Sequence, residues 1–544
     1  MQDDATHHNG AHRVGAVFWT SVALSAVFVL WGTFFTQNLA GVFQTVLDYV
    51  ISTFGSVYLL AVTGFLIFAL YLGISRYGRI RLGGDDERPE FSTLSWLCML
   101  FAAGLGLVFL FWGVGEPASH FGSPPYGMAE SGTPEAAELG LQYTFFHWGL
   151  HPWAVYAVVG LALAYFGFRK GGGNLVSSVF RPSIGDRVDG PIGKAIDILA
   201  IFAVLFGVAT ALGIGALQLN GGLSYVFGLP DNTTVQIALI ALLTAAFIFS
   251  AVTGLSRGIL YLSLINIGLA VALTVFVFFA GPTTFLLDTF SQSLGQYFGQ
   301  LAPMSLRTDA FAFEESTWAA NWTLFYWAWW VSWAPFVGAF IARISRGRTI
   351  REFVFGVILA PSLFSFVWFT VYGGTAIYQD LFRGDDIAET AAGSLSEALF
   401  DTLNAVPLGI VSSIVALVLV SIFFITSGDS ASFVLGSMST DGSQDPPTRV
   451  KVTWGVIVAA FAAVLIAVGG ENALNALQTA TITAAVPFAL IMIWMCFTLF
   501  KSLKQEFKEP AHRDASTHEP EGRESEGRES DDRERVPERR SPAK

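Results

Sequence analysis

Between Tyr326 and Phe336 the chain reads YWAWWVSWAPF, which places Trp327, Trp329, Trp330 and Trp333 within seven residues of one apolar run. At ~100° per residue on a helix, Trp329, Trp330 and Trp333 fall within roughly a 100° arc, so three indole faces share one side. Such faces attract a cation that cannot hydrogen-bond, and aromatic cages are the best-attested recognition device for quaternary ammonium groups. Tryptophan is also enriched in membrane helices as an interfacial belt, but belts sit near helix ends. This cluster starts well inside a run from about Trp318 to Ile341 and so lies near mid-membrane.

A second aromatic wall is written in FHWGLHPWAVYAVVG, where Trp148, Trp153 and Tyr156 lie within about 140° of helical arc. His147 and His151 are four apart, a spacing able to bind a metal. No Cys, Asp or Glu joins them nearby in sequence and Pro152 disturbs the local helix, so interhelical hydrogen bonds by neutral imidazoles are expected instead. In MLFAAGLGLVFLFWG, Gly104 and Gly106 each weaken a helix by roughly 1 kcal/mol relative to Ala. Close helix packing is one explanation; the other is a discontinuous helix, which exposes carbonyls for a cation and N–H groups for a carboxylate. The stretch SIFFITSGDSASFVLGS puts Thr426, Ser427 and Asp429 at hydrocarbon depth. Hydroxyls there often only bond back to the preceding turn. An intramembrane carboxylate such as Asp429 marks an ion path or a buried partner. The oxygens of Thr426, Ser427 and backbone carbonyls suit sodium, a small hard cation.

The elements that must position these residues are membrane helices. The chain has 544 residues, 53% hydrophobic and 13% charged, and its apolar runs repeatedly exceed ~18 residues. Twelve spans are expected: about Val14 to Phe35, Val57 to Ile74, Leu94 to Val114, Leu139 to Phe168, Ala195 to Ser224, Val235 to Val252, Ile259 to Ala280, Trp318 to Ile341, Phe353 to Ile377, Val406 to Leu435, Val452 to Val468 and Thr479 to Phe500. Arg76, Arg79 and Arg81, Arg169 and Lys170, Arg343, Arg346 and Arg348, and Arg449 with Lys451 all follow spans that end on one side. That bias predicts a plasma-membrane protein with both termini cytoplasmic. The opposite loops carry acids, among them Glu116, Glu130, Glu135 and Asp380.

Residues 1–13 read as a cytoplasmic N-terminal segment, 14–505 as the membrane domain and 506–544 as a disordered charged tail. About Thr283 to Leu301 is too polar to span and reads as an interfacial amphipathic helix on the outer face. There is no P-loop, HExxH or GxSxG motif, so neither an ATP-driven pump nor an enzyme is expected, and no cofactor or nucleic-acid partner.

Taken together, MLFAAGLGLVFLFWGVGEP, FHWGLHPWAVYAVVG, FYWAWWVSWAPFVGAFIARISRGRTIREF and FFITSGDSASF resemble the betaine/choline/carnitine transporter family over nearly all of residues 14–505. The resemblance implies an all-α, twelve-helix LeuT-like fold, with spans 3 to 7 and 8 to 12 as inverted five-helix repeats and spans 1 and 2 peripheral. It implies an onium substrate such as glycine betaine, coupling to sodium and assembly as a homotrimer. It assigns Trp148, Trp153, Tyr156, Trp329, Trp330 and Trp333 to the substrate box, with Gly104 and Gly106 meeting the substrate carboxylate and Trp327 further along the permeation path. It assigns one sodium site to carbonyls of Ala102 and Leu105 with Phe423, Thr426 and Ser427. Two departures stand out. Val204 and Val208 replace threonines of a second sodium site, although Phe336 is kept, so a single sodium, a proton or an exchange mechanism are alternatives. Val108 replaces a glycine or aspartate of the glycine motif, which argues against free choline and leaves room for a sulfonium compound.

Overall fold

The computed structural model describes residues 14–104, 106, 108–253, 256–308 and 317–507. Hydrocarbon offers a backbone no partners, so each apolar run satisfies its own N–H and C=O groups as a helix. Among the described residues eleven helices are long and apolar enough to cross a membrane, span 4 among them with a local break at Gly149 between Pro134–Trp148 and Leu150–Ala164. The remaining expected crossing, span 3, is broken into Thr93–Gly104 and Val108–Gly122, as its two glycines allow. Local signals set the ends of the others. Thr133 accepts from Ala136 N–H with Pro134 in the first turn of span 4. Thr349 and Glu352 form a capping box that starts span 9, Ile350–Arg383, and Gly384, at φ 71°, ends it. Among the described residues there is no strand, only an isolated antiparallel bridge between Arg81 and Thr349.

The packing carries the expected inverted repeat. Span 4 packs on span 8 and span 3 on span 9, a pair of contacts that exchange when residues of the first repeat are swapped for those of the second; spans 5 and 10, and spans 6 and 11, pair with each other. Spans 1 and 2 lie outside this core, span 1 (Ala16–Phe34) against spans 5 and 11 and span 2 (Thr36–Ile74) against spans 4 and 9. Where spans 4 and 8 cross, backbone meets backbone. A Cβ on Gly338 would stand 2.8 Å from Val159 Cγ1 and 3.0 Å from Gly160 N, and one on Gly160 would stand 3.2 Å from Gly338 O. Only glycine permits that approach, and it brings the two aromatic walls together.

Two connections differ from the sequence expectation. The stretch after span 9, read as an acidic loop, holds two short helices, Ile387–Gly393 and Leu395–Asn404. The Asp380 carboxylate makes the first of them possible by accepting from Ile387 N–H at 2.5 Å and Ala388 N–H at 2.8 Å. The polar segment after span 7 is a helix, Thr283–Ser305, slightly longer than expected, whose Gln296 donates to Glu138 at 2.6 Å. A second compact unit begins at Phe500; the expected terminal segment 1–13, and all of the expected tail 506–544 except Glu506 and Phe507, lie outside the described residues.

On the arginine-rich face the segment leaving span 8 is tied to the one entering span 3. Leu82 N–H donates to Arg348 O and Gly347 N–H to Leu82 O, both at 2.8 Å. Arg348 lies 4.1 Å over the Trp96 ring, and Arg346 pairs with Glu87. The Glu87 carboxyl is held below its usual 4.5 by the Gly84 N–H first and by Arg346 after it, with burial opposing. A folded-state value below the unfolded one gives stability that is complete above the unfolded value and fades as pH falls through the folded one. Glu87→Gln should therefore lower the melting temperature slightly near pH ~7, and the difference from wild type should shrink as pH falls below the usual carboxylate range. An acid-independent difference in a thermal melt would contradict this.

Candidate functional site

The aromatic residues on spans 4 and 8 converge. Trp329 and Trp330 stack at 5.3 Å with an 8° angle, and Trp330 stacks on Tyr326 at 5.7 Å. Trp148 meets the Trp330 ring edge-on at 4.9 Å, and Tyr156 meets it edge-on at 6.3 Å. Trp153 lies edge-on to Tyr156 at 5.5 Å. Trp333 is edge-on to Trp329 at 6.4 Å and lies over span 5, where a Cβ on Gly207 would stand 2.5 Å from its Cδ1. Two backbone acceptors hold the stack: Trp330 Nε1 donates to His147 O at 3.0 Å and Trp329 Nε1 to Gly207 O at 3.3 Å. Five of the six expected box residues are buried, Trp333 being partly so.

The helix break lies beside this stack. Phe109, one residue into the second half of span 3, packs 4.8 Å from Trp148. Ending a helix at Gly104 leaves its last four carbonyls, Ala102 among them, without intrahelical donors. Restarting at Val108 leaves the first-turn N–H groups of Val108–Gly122 without intrahelical acceptors at the positive end of its dipole; of these, Phe109 N–H is taken by Gly106 O at 3.1 Å. A Cβ on Gly106 would meet nothing within 4 Å, so space opens at the break. Val108 itself is 4% exposed. Leu105 lies outside the described residues.

Trp327 points elsewhere. It stacks on His151 at 5.3 Å and 15° and packs on Phe146 at 5.1 Å, outside the stack of Trp329 and Trp330. Toward the acid-rich face a line of rings leads from the box. Tyr326 stacks on His147 at 4.8 Å, and Tyr143 lies 5.1 Å from Trp318. Tyr143 also lines a cavity of about 570 Å³ with Gln142, Gln300, Met304 and Arg307.

The sequence reading missed Glu116 and Tyr326, and here it needs correction. Glu116 was assigned to an outer loop; it is fully buried within Val108–Gly122. His147 was expected to have no acid nearby. Its Nδ1 stands 2.6 Å from Glu116 Oε1, its Nε2 meets Thr323 Oγ1 at 2.9 Å, and His120 Nε2 joins the same Oε1 at 3.3 Å. These three donor atoms lie within 4.8 Å of one another. Two ligands on one zinc at ~2.0–2.1 Å would stand roughly 3.3 Å apart, so the 2.6 Å contact is a hydrogen bond and not a shared metal. His151 takes no part; its Nε2 meets Ser305 Oγ at 3.1 Å. Imidazoles serving as interhelical hydrogen-bonding groups is the use the sequence suggested.

The expected ion ligands on span 10, Gly409–Ser439, sit on a continuous helix. Thr426 Oγ1 donates back to Ile422 O at 3.0 Å and Phe423 O at 3.3 Å, which leaves its lone pairs free to ligate. Ser427 is half-buried on the next position. Asp429 is half-buried too, and its charge interacts with Lys451 at the start of span 11. Val204 and Val208 are buried on span 5. The nearby Thr210 faces span 12, hydrogen-bonded to Thr481 Oγ1 at 2.6 Å and Leu477 O at 3.2 Å.

Comparison with known proteins agrees with this architecture. The chain is 47% identical over 498 residues to the glycine betaine transporter OpuD of Bacillus subtilis, covering 91% of this chain and 96% of that one. It is 45% identical to a probable glycine betaine transporter of Desulfitobacterium hafniense, with 91% and 98% covered, and 41% identical to an ectoine/hydroxyectoine transporter of Virgibacillus pantothenticus, with 91% and 97% covered. The profile of the betaine/carnitine/choline transporters matches residues 16–508. With eleven long apolar helices and a broken span 3 among the described residues, aromatic walls at that break and relatives of this kind, the chain is a multi-pass membrane transporter, not an enzyme, and belongs to the betaine/carnitine/choline transporter (BCCT) family.

Proposed function

We propose that the chain is a secondary active importer of glycine betaine or a closely related methylated zwitterion, coupled to sodium. The observation that carries this reading is the Trp148, Tyr326, Trp329 and Trp330 cluster lying beside the break between Gly104 and Val108. Aromatic faces receive an onium group at about 0.5–2 kcal/mol each. The freed N–H groups at the start of Val108–Gly122 receive the carboxylate. Parallel rings 5.3 Å apart leave no room for a trimethylammonium group between them. The onium group therefore lies against outer ring faces, or the rings part to admit it.

Sodium would bind where span 3 breaks against span 10, using the carbonyls of Ala102, Leu105 and Phe423 with the hydroxyls of Thr426 and Ser427. Coupling needs the ion to favour one conformation over the other, and a site spanning a broken helix and its neighbour changes geometry when the two move. Val204 and Val208 offer no oxygen, which favours one sodium over two. Ectoine is the second substrate reading, because a relative 41% identical is named for it and its delocalised cation also suits aromatic faces. Placement in the plasma membrane with cytoplasmic termini, and a homotrimer, complete the proposal.

Equilibrium binding to purified protein, read by tryptophan emission with glycine betaine, ectoine and choline as competitors, tests the substrate. Glycine betaine should quench saturably and outcompete choline; choline binding more tightly would overturn the assignment. For the ion, Thr426→Ala is expected to raise the sodium concentration for half-maximal binding at least about threefold while binding at saturating sodium persists. An unchanged sodium dependence removes Thr426 from the site.

A further inference from the structure

The Glu116 carboxylate is fully buried at the edge of the aromatic stack, and its partners come from three directions. Oε2 accepts from Trp148 Nε1–H at 2.7 Å and from the Tyr326 hydroxyl at 2.5 Å. Oε1 faces His147 Nδ1 at 2.6 Å and His120 Nε2 at 3.3 Å. With both imidazoles presenting N–H, four donors converge on one carboxylate, which matches the acceptor capacity of an ionised group. Two of those donors belong to rings that contact Trp330 directly. A charged acceptor on an indole N–H or a phenol O–H pushes electron density into the ring, and cation attraction grows with the density of the ring face. In a buried, weakly screened setting the carboxylate charge also attracts an onium group without touching it.

Resting on the functional reading above, we propose that Glu116 is the positioning residue of the box: it fixes the Trp148 and Tyr326 rings and sets their preference for cations. It also gives a zwitterion its direction. Glu116 is eight residues beyond Val108 on one helix, about 12 Å at ~1.5 Å per residue, so one helix carries first-turn N–H groups at its start and a buried negative charge just past its middle. The carboxylate end of a substrate is drawn to the first and repelled by the second. The onium end has the opposite preference, so both ends favour a single orientation.

A double-mutant cycle on glycine betaine affinity separates this role from simple support of the fold. Glu116→Gln keeps the shape and removes the charge; Trp148→Phe keeps a ring and removes the N–H. Each alone is expected to weaken binding about tenfold or more. Together they should weaken it clearly less than the product of the two, because the charge acts through the N–H that Phe lacks. Multiplicative losses, or unchanged affinity in Glu116→Gln, overturn the proposal. Should Glu116→Gln fail to fold, Trp148→Phe with Tyr326→Phe leaves the carboxylate in place and removes two of its donors; a similar tenfold loss supports the role and wild-type affinity overturns it. The wild-type protein is the control for the underlying site: if it binds none of glycine betaine, ectoine and choline, the functional reading falls and this inference with it. Wild-type binding with multiplicative losses defeats only the inference.

Discussion

Trp330→Ala is expected to abolish saturable glycine betaine uptake while the protein still inserts and purifies. Trp330 is the hub of the box: it touches Trp148, Tyr156, Tyr326 and Trp329, and its Nε1 is held by His147 O. Truncation removes one cation-binding face, worth up to about 2 kcal/mol. It also releases Trp148 and Tyr326, which lean on it, so their contribution falls as well. A combined loss of about 3 kcal/mol is more than a hundredfold in affinity. Trp330→Phe keeps a face at the same place and should retain uptake with a raised KM. Full uptake by the alanine variant would remove the box from the transport path.

Gly338→Val is expected to have an effect almost as large, from a residue that touches no substrate. The crossing of spans 4 and 8 depends on Gly338 facing Val159 and Gly160 with no side chain between. The obstructing atoms are the stem of a β-branched side chain and a backbone nitrogen, neither of which can swing aside. Overpacking at such a contact costs roughly 1–3 kcal/mol. Separating the helices also pulls Trp329 and Trp330 away from Trp148 and Tyr156. Both the detergent melting temperature and glycine betaine affinity should fall, the latter by about tenfold or more. A melt lowered with affinity unchanged would show that the walls are positioned by other contacts.

Much of this was legible in the chain itself, because membrane helices announce themselves by length and apolarity. The aromatic walls were legible for a further reason: i, i+3 and i+4 spacing fixes which side chains share a helix face before any packing is known. Gly104 and Gly106 announced a weak point that the structure turns into a break. Tyr326 obeyed the same spacing, four residues before Trp330, and could have been added to the box on that ground alone. Glu116 could not. It follows the last apolar residues of span 3 and precedes Pro117, which in sequence reads as the start of a loop, and its partners Trp148 and Tyr326 are 32 and 210 residues away. A buried carboxylate is stable only through donors that tertiary structure delivers, and a one-dimensional pattern does not show them. The first helix after Asp380 was missed for a related reason, since its start depends on a carboxylate reaching forward seven and eight residues to cap it.

The most direct test of sodium-driven glycine betaine import is labelled uptake into proteoliposomes under three conditions. These are an inward sodium gradient, an inward proton gradient, and no gradient with unlabelled glycine betaine inside. Accumulation above equilibrium with sodium, and in neither other condition, is the predicted result. Accumulation driven by protons alone, or flux seen only against internal substrate, would contradict sodium coupling and make the chain a proton symporter or an exchanger.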